Sequence, residues 1–553
     1  MNITLKGDPS GFLIRWSEEM AERYRNEGFW QDRTLVDVAR AAVADDPERV
    51  LLIEGDHMLT RRAAWERALR LAGFFLSRGL KPGDVISFQL PNWIEAAIIG
   101  LAARMVALVV NPIPPIYRGA ELGYILKDCG AKMIFVPDIF RKHEHRATVE
   151  ALRPDLPDLR DIVIVRGQGD LNWDDAMATA PAADADLPIV DPAAVMMVMY
   201  TSGTTGKPKG VLHTHYGFDY RVRSMGEAWS IGRDDIVFMP SPVTHITGAF
   251  WAIDMPWVRG AGSVLVDVWE PEAGLRLIAE KGCTVVGGAT PFLQQLLDAA
   301  DRQTGTLPMP RLFFCGGTTV SPDLIRQANE RFPSCLFFRA YGSTEMTTAT
   351  LGIRDASQAT FGAETDGEIV YPTEIKLVDP AGDDSVPDGE EGEILVRGPE
   401  GFVGYLHPSD NHGNFDADGF FRMGDLGRRV HEDYLVITGR KKDIIIRSGE
   451  NISPKEVEDA LYLHPAIAEV AIVAMPSAVT GEKGCAFIIP RAGQNIDMAG
   501  IRRFLDEAGL ARQKFPEHIV LVDDLPRVPS GKVKKDILRI RAREIAEAEV
   551  AAI

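Results

Sequence analysis

Apolar and polar positions along this chain are arranged in blocks that predict strands and helices in turn. Short apolar runs of strand length recur, and the segments between them place apolar residues at helical spacing. We predict strands at 85–90, 132–136, 161–165, 193–200, 263–266, 284–286 and 312–314, and helices at 63–77 and 92–105. Buried strands separated by helices are typical of α/β layers with largely parallel sheets.

The pattern changes in the last third of the chain. From residue 363 to 430, turns rich in glycine, aspartate and glutamate separate short alternating runs, which predicts a small β-rich subdomain. A compact unit follows residue 442, with predicted helices at 454–462 and 498–508 and a strand at 470–474. The segment 181–188 begins and ends with proline and is predicted to link two subdomains.

Length and charge narrow the class of protein. A chain of 553 residues is too long for a single core, so at least two domains are expected. The net charge of −19 argues against general affinity for nucleic acid or anionic membrane. The longest apolar run, 96–110, is interrupted by Arg104 and is shorter than a bilayer span, so we expect no stable membrane insertion. The N-terminal residues lack a signal-peptide core, and the five scattered cysteines fit reduced thiols, so a cytoplasmic location is expected.

A loop dense in glycine, hydroxyl and lysine follows the predicted strand at 193–200. Glycine lets backbone N–H groups approach an anion, while hydroxyl and ammonium groups donate hydrogen bonds to it. The spacing is not that of a Walker A loop, because proline follows Lys207. The alternative is a solvated turn. The predicted phosphate-binding residues are Thr201, Ser202, Gly203, Thr204, Thr205, Gly206, Lys207 and Lys209.

Six motifs in order, spread over about 330 residues, resemble those of the adenylate-forming superfamily, which includes acyl-CoA synthetases, adenylation domains of peptide synthetases and luciferases. The segments that carry the resemblance are Ser202–Gly210, Pro242–Gly248, Cys315–Gly317 with Tyr341–Glu345, Gly419–Asp425, Gly439–Asp443 with Ser448–Asn451, and Pro529–Lys532.

This resemblance implies an activity and an architecture. The expected enzyme is an acid–thiol ligase that converts a small carboxylic acid and ATP to acyl-AMP and then transfers the acyl group to CoA, with Mg²⁺ as the metal. The fold class implied is α/β: a large N-terminal AMP-binding domain of layered α/β subdomains plus a β-rich subdomain (1–441), and a small mobile α+β C-terminal domain (443–553). The hinge is expected at Lys442. The expected partners are the acid, ATP and CoA, without nucleic acid, and the expected state is a monomer or homodimer.

The same resemblance implies roles for the ATP-site residues. Thr344 is expected to contact the α-phosphate and Glu345 to hold Mg²⁺, which prefers oxygen ligands. Tyr341 is expected to stack on adenine, with Gly316, Gly317 and Gly342 allowing close approach of the backbone. Asp425 would bind the ribose hydroxyls, and Arg440 would support ribose and phosphate. The alternatives are a surface carboxylate at Glu345, a core tyrosine at Tyr341, and a plain salt bridge between Asp425 and Arg440.

A lysine and a glycine of the C-terminal unit complete the expected machinery. Lys532, in a Pro-Ser-Gly-Lys loop, matches the lysine that contacts the carboxylate and α-phosphate during adenylation; Lys534 and Lys535 compete with it on sequence alone. After rotation about Lys442, the turn Ser448–Gly449 would line the tunnel of the thiol, where a Cβ at Gly449 would narrow the channel. A simple turn glycine is the alternative for Gly449.

The acid pocket is expected around His245, which corresponds to the gate of the family's acid-pocket motif. The other candidates are Ile246, Thr247, Gly248, Trp251, Gly287, Gly288 and Phe314. Segments 24–30, 111–112 and 365–367 look like the branch that holds aryl-acid AMP ligases and alicyclic-acid CoA ligases. In aryl-acid activators, asparagine follows this histidine and helps to bind a ring hydroxyl. Because Ile246 stands there instead, an apolar alicyclic, medium-chain or ring-degradation acid is expected.

Two other functions are compatible with these motifs. A stand-alone AMP ligase would load a separate carrier protein in place of CoA. A non-catalytic nucleotide-binding regulator would be expected to have lost Lys532 or Glu345, and both are present. The pairs His143/His145 and His213/His215 lack further ligands at suitable spacing, so surface or structural roles are expected rather than metal binding.

Overall fold

The first layer of the protein, seen in a computed structural model that describes residues 3–201, 207–303, 309–317, 320–527 and 532–551, is a six-stranded sheet. Neighbouring strands run parallel except for the last pair, which forms an antiparallel hairpin. In spatial order the strands are Asp161–Val165, Met133–Pro137, Val85–Phe88, Val109–Pro112, Val195–Thr201 and Lys209–Thr214.

A seven-stranded sheet forms the second layer and also runs parallel except at its last pair. Its strands, in spatial order, are Leu336–Ala340, Leu312–Gly316, Val285–Gly288, Ile236–Phe238, Gly262–Leu265, Val50–Glu54 and His57–Thr60. One hydrophobic cluster joins the two sheets through the helix Ile94–Met105, all of whose residues are buried except Glu95. A helix that is apolar on every side needs such a position between layers.

The helices cover the sheets or lie between them. Those of the N-terminal part are Glu18–Asn26, Leu35–Asp45, Arg61–Ser77, Ile94–Met105, Gly119–Asp128, His145–Leu152, Trp173–Met177, His215–Ala228, Ile246–Gly248, Met255–Arg259, Pro271–Glu280, Thr290–Asp301, Pro322–Arg331 and Ala359–Glu364, together with a π-helix at Ala249–Asp254. Two small hairpins are Thr4–Gly7 with Leu13–Trp16, and Ile139–Phe140 with His143–Glu144.

Two smaller sheets follow in the chain. The first is antiparallel, with strands Glu374–Val378, Gly392–Arg397, Phe421–Val430 and Tyr434–Arg440. A short 3₁₀ turn, Lys441–Asp443, leads into the C-terminal unit. Its sheet contains Ile445–Arg447, Glu450–Ile452, Ile467–Ser477, Gly481–Pro490 and His518–Leu521, and its helices are Pro454–Leu461, Met498–Glu507 and Lys535–Ala551.

The predicted α/β class, the largely parallel sheets and the β-rich subdomain are confirmed. The predicted linker at 181–188 is wrong. This segment connects two strands of the same six-stranded sheet, and the Ala182 N–H donates to the Leu69 carbonyl on the helix Arg61–Ser77. Prolines end local structure without determining which sheet the next strand joins. None of the five cysteines forms a disulfide bond, and all five are buried. Among the described residues, no helix is long and apolar enough to cross a membrane.

Candidate active site

The candidate residues gather where parallel strands of the seven-stranded sheet end. Gly287 and Gly288 end one strand, Gly316 ends its neighbour, and Tyr341 directly follows the next. His245 lies on the segment that leaves the strand Ile236–Phe238, on the other side of Gly287. The carboxyl ends of parallel strands form a crevice in open α/β sheets, and ligands bind there.

A charged cluster closes one side of this crevice. The Tyr341 hydroxyl donates a hydrogen bond to Asp425 Oδ2 at 2.7 Å. Asp425 Oδ1 also pairs with Arg440 Nε at 2.9 Å, and the two residues face each other across paired strands. Burial and the Asp425 carboxylate raise the pKa of Tyr341 well above its usual value, so the hydroxyl stays protonated. The three predicted adenosine-site residues therefore form one hydrogen-bonded group.

Lys532 approaches this cluster from the C-terminal unit. Burial is the main cause that lowers the pKa of its ammonium group to about 7, and the Arg440 guanidinium lowers it further. The Asp425 and Asp443 carboxylates act in the opposite direction and raise this pKa. Its charge also contributes to the lowered pKa of His245. Lys535 is engaged elsewhere, because its Nζ lies 2.6 Å from Glu458 Oε1 in the C-terminal unit. Of these two lysines, Lys532 is the one that faces the crevice.

The three glycines of the crevice, at positions 316, 317 and 342, are required for different structural reasons. A Cβ on Gly316 would lie 2.5 Å from the Ala340 carbonyl oxygen, so close strand packing requires glycine there. Gly317 has a left-handed φ of +79°, with open space where a side chain would project. A Cβ on Gly342 would come within 2.8 Å of the Thr348 backbone, because the loop after Tyr341 folds tightly on itself. Only Gly317 leaves free room beside the crevice.

Thr344 and Glu345 follow in that loop and are half-buried. The Tyr405 hydroxyl donates to Glu345 Oε1 at 2.9 Å, and Lys209 Nζ lies 5.1 Å from the centre of the Tyr405 ring. Tyr405 thus joins the predicted metal ligand to the end of the phosphate loop. Tyr405 was not predicted from the sequence, because no local pattern marks a residue that lies 60 positions away from Glu345 and forms a single β-bridge with Val211.

The two ends of the phosphate loop lie on a β-hairpin. Thr201 and Lys209 face each other as the last pair of an antiparallel hairpin. Lys209 is half-buried, with Nζ 3.7 Å from Asp410 Oδ1, and Lys207 is exposed. The predicted phosphate contacts Ser202, Gly203, Thr204, Thr205 and Gly206 lie outside the described residues.

The histidine pairs are structural. His213 and His215 are buried, and burial lowers the pKa of each to about 3, so both are neutral. The Thr344 backbone acts against this lowering of the His213 pKa, which places His213 close to the loop that carries Glu345. His145 is buried against Gln89, with Nδ1 3.1 Å from Oε1. Within the described ranges, no group of three or more histidine, cysteine or carboxylate residues could hold a metal ion.

His245 precedes the helix Ile246–Gly248 as its N-cap. The Thr247 N–H donates to His245 Nδ1 at 3.4 Å, and burial together with the Lys532 charge lowers the pKa of His245 to about 4. The imidazole is therefore neutral, and with Nδ1 accepting, its proton is on Nε2. Ile246 and Gly248 are buried, and a Cβ on Gly248 would lie 2.1 Å from the Pro242 carbonyl oxygen.

The aromatic pocket candidates lie in contact. The ring centres of Trp251 and Phe314 are 4.4 Å apart, and a Cβ on Gly287 would lie 2.0 Å from the Phe314 ring. A Cβ on Gly288 would lie 2.9 Å from Cδ2 of the Phe292 ring. Trp229 completes this group and was missed from the sequence, because it lies at the end of a helix with no motif around it.

The structure does not bring Ser448 and Gly449 into this cluster. They are the two central residues of the hairpin between Ile445–Arg447 and Glu450–Ile452, with φ of +52° and +85°. Both are exposed, and the Ser448 N–H donates to the Thr480 carbonyl of the same unit. Lys442 is exposed on the 3₁₀ turn between the units. The thiol-site and hinge roles of these residues remain predictions.

Comparison with known proteins agrees with this geometry. A model described as "AMP-binding enzyme" matches residues 39–406, and one described as "AMP-binding enzyme C-terminal domain" matches 456–532. The chain is 35% identical to the medium-chain fatty-acid–CoA ligase of Escherichia coli (strain K12), covering 95% of this chain and 93% of that protein. It is 31% identical to a salicylyl-CoA synthase / salicylate adenylyltransferase of Streptomyces sp, covering 95% and 97%.

A solved structure is similar throughout. The crystal structure of ATP-bound MatB from Rhodopseudomonas palustris superimposes with a TM-score of 0.85 at 28% identity, covering 93% of this chain and 100% of that one. The family models, the relatives and the similar solved structure therefore agree on the family. The chain belongs to the AMP-binding enzyme family and is an ATP-dependent ligase that activates a carboxylic acid through its adenylate.

Proposed function

We propose that this ligase joins an apolar carboxylic acid to free CoA. Acid and ATP give acyl-AMP and pyrophosphate, and acyl-AMP and CoA then give acyl-CoA and AMP. The observation that carries the proposal is the electrostatic interaction of the buried Lys532 ammonium group, in the C-terminal unit, with Asp425, Arg440 and His245 of the N-terminal part. An arrangement of this kind supplies a positive charge where acid and α-phosphate would meet.

In the first step, a carboxylate oxygen attacks the α-phosphorus while the bond to the β-phosphate oxygen breaks. Negative charge accumulates on groups that are already anionic, so fixed cations and donors lower the barrier. We assign Lys532 and Arg440 to this charge, Thr344 to the α-phosphate, Asp425 to the ribose, and Tyr341 to the adenine. The loop from Thr201 to Lys209 would bind the β- and γ-phosphates.

Glu345 is the proposed Mg²⁺ ligand. Its carboxylate is half-buried and accepts one hydrogen bond, from Tyr405, and no lysine, arginine or histidine of the described ranges forms an ion pair with it. Lone pairs therefore remain for a cation, which fits a metal held by one carboxylate and substrate phosphates. When bound, Mg²⁺ would neutralise part of the triphosphate charge.

For the second step, the C-terminal unit must bring a different surface to the adenylate. We propose that it rotates about Lys442 and presents the Ser448–Gly449 turn to the thiol. This turn is exposed, and apart from the two chain neighbours no described residue has an atom within 4 Å of a Cβ built on Gly449. The thiolate sulfur then attacks the acyl carbonyl carbon, and AMP leaves with the electrons of the mixed anhydride bond.

The acceptor is tested by thioester formation with ATP, Mg²⁺ and CoA over a panel of cyclohexanecarboxylate, benzoate, dihydroxybenzoate and fatty acids. We expect acyl-CoA from an apolar acid. Gly449→Asn should retain adenylation and lose at least tenfold in thioester formation, since asparagine tolerates the left-handed φ but adds a side chain to the turn. Mass spectrometry of acyl-AMP and acyl-CoA separates the two steps.

A matched control is Gly493→Asn, at another exposed glycine with φ of +75° and open surroundings. It should leave both steps unchanged. Acyl-AMP that accumulates without CoA product, for every acid activated, would instead identify a ligase that loads a carrier protein. Equal thioester rates for wild type and Gly449→Asn would contradict the assignment of this turn.

The pKa of Lys532 predicts a pH dependence. The ammonium form is the one that would act on phosphate, and with a pKa of about 7 the free enzyme loses that charge as pH rises above 7. We therefore expect kcat/KM for adenylation, followed by pyrophosphate release, to fall above pH 7. His245, with a pKa of about 4, does not titrate in this range. The arginine side chain of Lys532→Arg stays charged, so the residual activity of this variant should not fall between pH 7 and 9. A fall equal to that of the wild type would refute the assignment of the pH dependence to Lys532.

A further inference from the structure

Three aromatic rings pack against one another, and two of them belong to candidate residues of the acid pocket. The ring centres of Trp229 and Trp251 are 5.3 Å apart with planes 14° from parallel. Phe314 lies 5.3 Å from Trp229 and 4.4 Å from Trp251. All three side chains are buried, with at most 6% of their surface exposed. We call Trp229, Trp251 and Phe314 the aromatic stack.

The stack is fixed on several sides. The indole N–H of Trp229 donates to the Leu351 carbonyl at 3.0 Å, and Phe338 packs on the same indole at 5.0 Å. On the opposite side Phe314 fills the room that Gly287 leaves, since a Cβ there would lie 2.0 Å from Cε1 and Cζ of the ring. Aromatic side chains held by contacts on several sides cannot swing aside without losing packing.

The position of the stack relates it to the site. Phe314 lies two residues before Gly316 on one strand, so the two point to the same face of the sheet. Trp251 belongs to the helical segment that starts directly after His245. A chain that enters beside His245 and extends inward along this face therefore meets the three rings. The indole N–H of Trp229 is bonded to the Leu351 carbonyl, so Trp229 and Phe314 present apolar ring surface at this end.

We propose that the aromatic stack closes the inner end of the acid pocket, so that the enzyme selects one-ring apolar acids over unbranched medium-length chains. This inference rests on the proposed function and narrows its substrate class. A single six-membered ring presents a flat or slightly puckered face that packs on aromatic surface within a short depth. An unbranched chain of eight or more carbons needs length that Trp251 and Phe314 occupy.

The test compares kcat/KM for cyclohexanecarboxylate and benzoate with that for octanoate and decanoate. Acyl-AMP is trapped with hydroxylamine, and pyrophosphate release is measured, so the readout needs no thiol acceptor. We expect the wild type to favour the one-ring acids. Phe314→Ala should raise the ratio of octanoate to cyclohexanecarboxylate by about tenfold or more, the range that changes in pocket volume produce. Trp251→Leu should shift the ratio in the same direction and serves if Phe314→Ala does not fold.

The matched control is Phe313→Ala. Phe313 precedes Phe314 on the same strand and is equally buried, but it points to the opposite face, where it packs on Phe337. This variant loses the same side chain without opening the pocket, so the ratio should stay within about twofold of wild type.

Three outcomes overturn the proposal. One is a wild type that adenylates octanoate or decanoate at least as well as the one-ring acids. Another is an unchanged ratio in folded Phe314→Ala or Trp251→Leu. A third is an equal shift in Phe313→Ala, which would indicate a general loosening. Failure to form acyl-CoA in the acceptor assay leaves this test intact, whereas no adenylation of any acid would overturn the proposed function as well.

Discussion

Replacing Lys532 with alanine is expected to lower the rate of acyl-AMP formation by about 10³-fold, the scale at which removal of one charged group from a phosphoryl-transfer site acts. The buried ammonium group of Lys532 belongs to the C-terminal unit and interacts electrostatically with Asp425, Arg440 and His245 of the N-terminal part. ATP should still bind, because the Tyr341–Asp425–Arg440 group remains. The measurements are pyrophosphate release with the acid and ATP affinity by calorimetry.

Two comparisons make this prediction specific. Lys534→Ala removes a neighbouring charge and should leave adenylation near the wild-type rate. Chemically prepared acyl-AMP supplied with CoA should be converted by Lys532→Ala at close to the normal rate, because the proposed second step does not use this lysine. Unchanged adenylation in Lys532→Ala, or an equal loss in both steps, would show that Lys532 does not serve adenylation in particular.

The second large effect is expected for Glu345→Gln. Neutralising the carboxylate removes the proposed Mg²⁺ ligand but keeps the shape of the side chain and a carbonyl oxygen that can accept from Tyr405. We expect kcat/KM for MgATP to fall by about 10²-fold, which corresponds to roughly 3 kcal/mol of lost stabilisation. The concentration of Mg²⁺ that gives half-maximal rate should rise in parallel, and a Mg²⁺ titration at fixed ATP measures both.

Tyr405→Phe is the matched variant for this prediction. It removes only the hydroxyl that donates to Glu345, so the carboxylate stays charged but is less well oriented. Its effect should have the same direction and be smaller, about tenfold. Glu364→Gln, at an exposed carboxylate, should change nothing. A Glu345→Gln enzyme with normal Mg²⁺ dependence would mean that the metal is held elsewhere.

The position of the C-terminal unit relates to the order of the two proposed reaction steps. Lys532 lies in the crevice while Ser448 and Gly449 are exposed on the surface of the C-terminal unit. Under the roles proposed for Lys532 and for the Ser448–Gly449 turn, the present arrangement would serve the adenylation step. Lys442, between the last strand of the four-stranded sheet and the C-terminal unit, is where the proposed rotation requires its change of backbone angles.

The sequence by itself determined the local elements and the chemistry of the motifs. The strand at 161–165 and the helix at 63–77 were predictable because burial of one face imposes a period of two or 3.6 residues on nearby positions. The strand that ends at Gly316 and the turn that follows Tyr341 were likewise marked by glycine next to apolar runs. These signals extend over a few residues and need no knowledge of the rest of the chain.

The tertiary structure decided which distant residues meet. The Tyr405 hydroxyl bonds to Glu345, and the rings of Trp229 and Phe314 pack together. Each of these contacts joins segments at least 60 residues apart. The segment 181–188 likewise connects two strands that belong to the same six-stranded sheet. Such contacts depend on sheet order and on the packing of layers, which a local pattern does not encode. The position of Lys532 among Asp425, Arg440 and His245 depends in addition on how the C-terminal unit docks, and only the three-dimensional arrangement determines that.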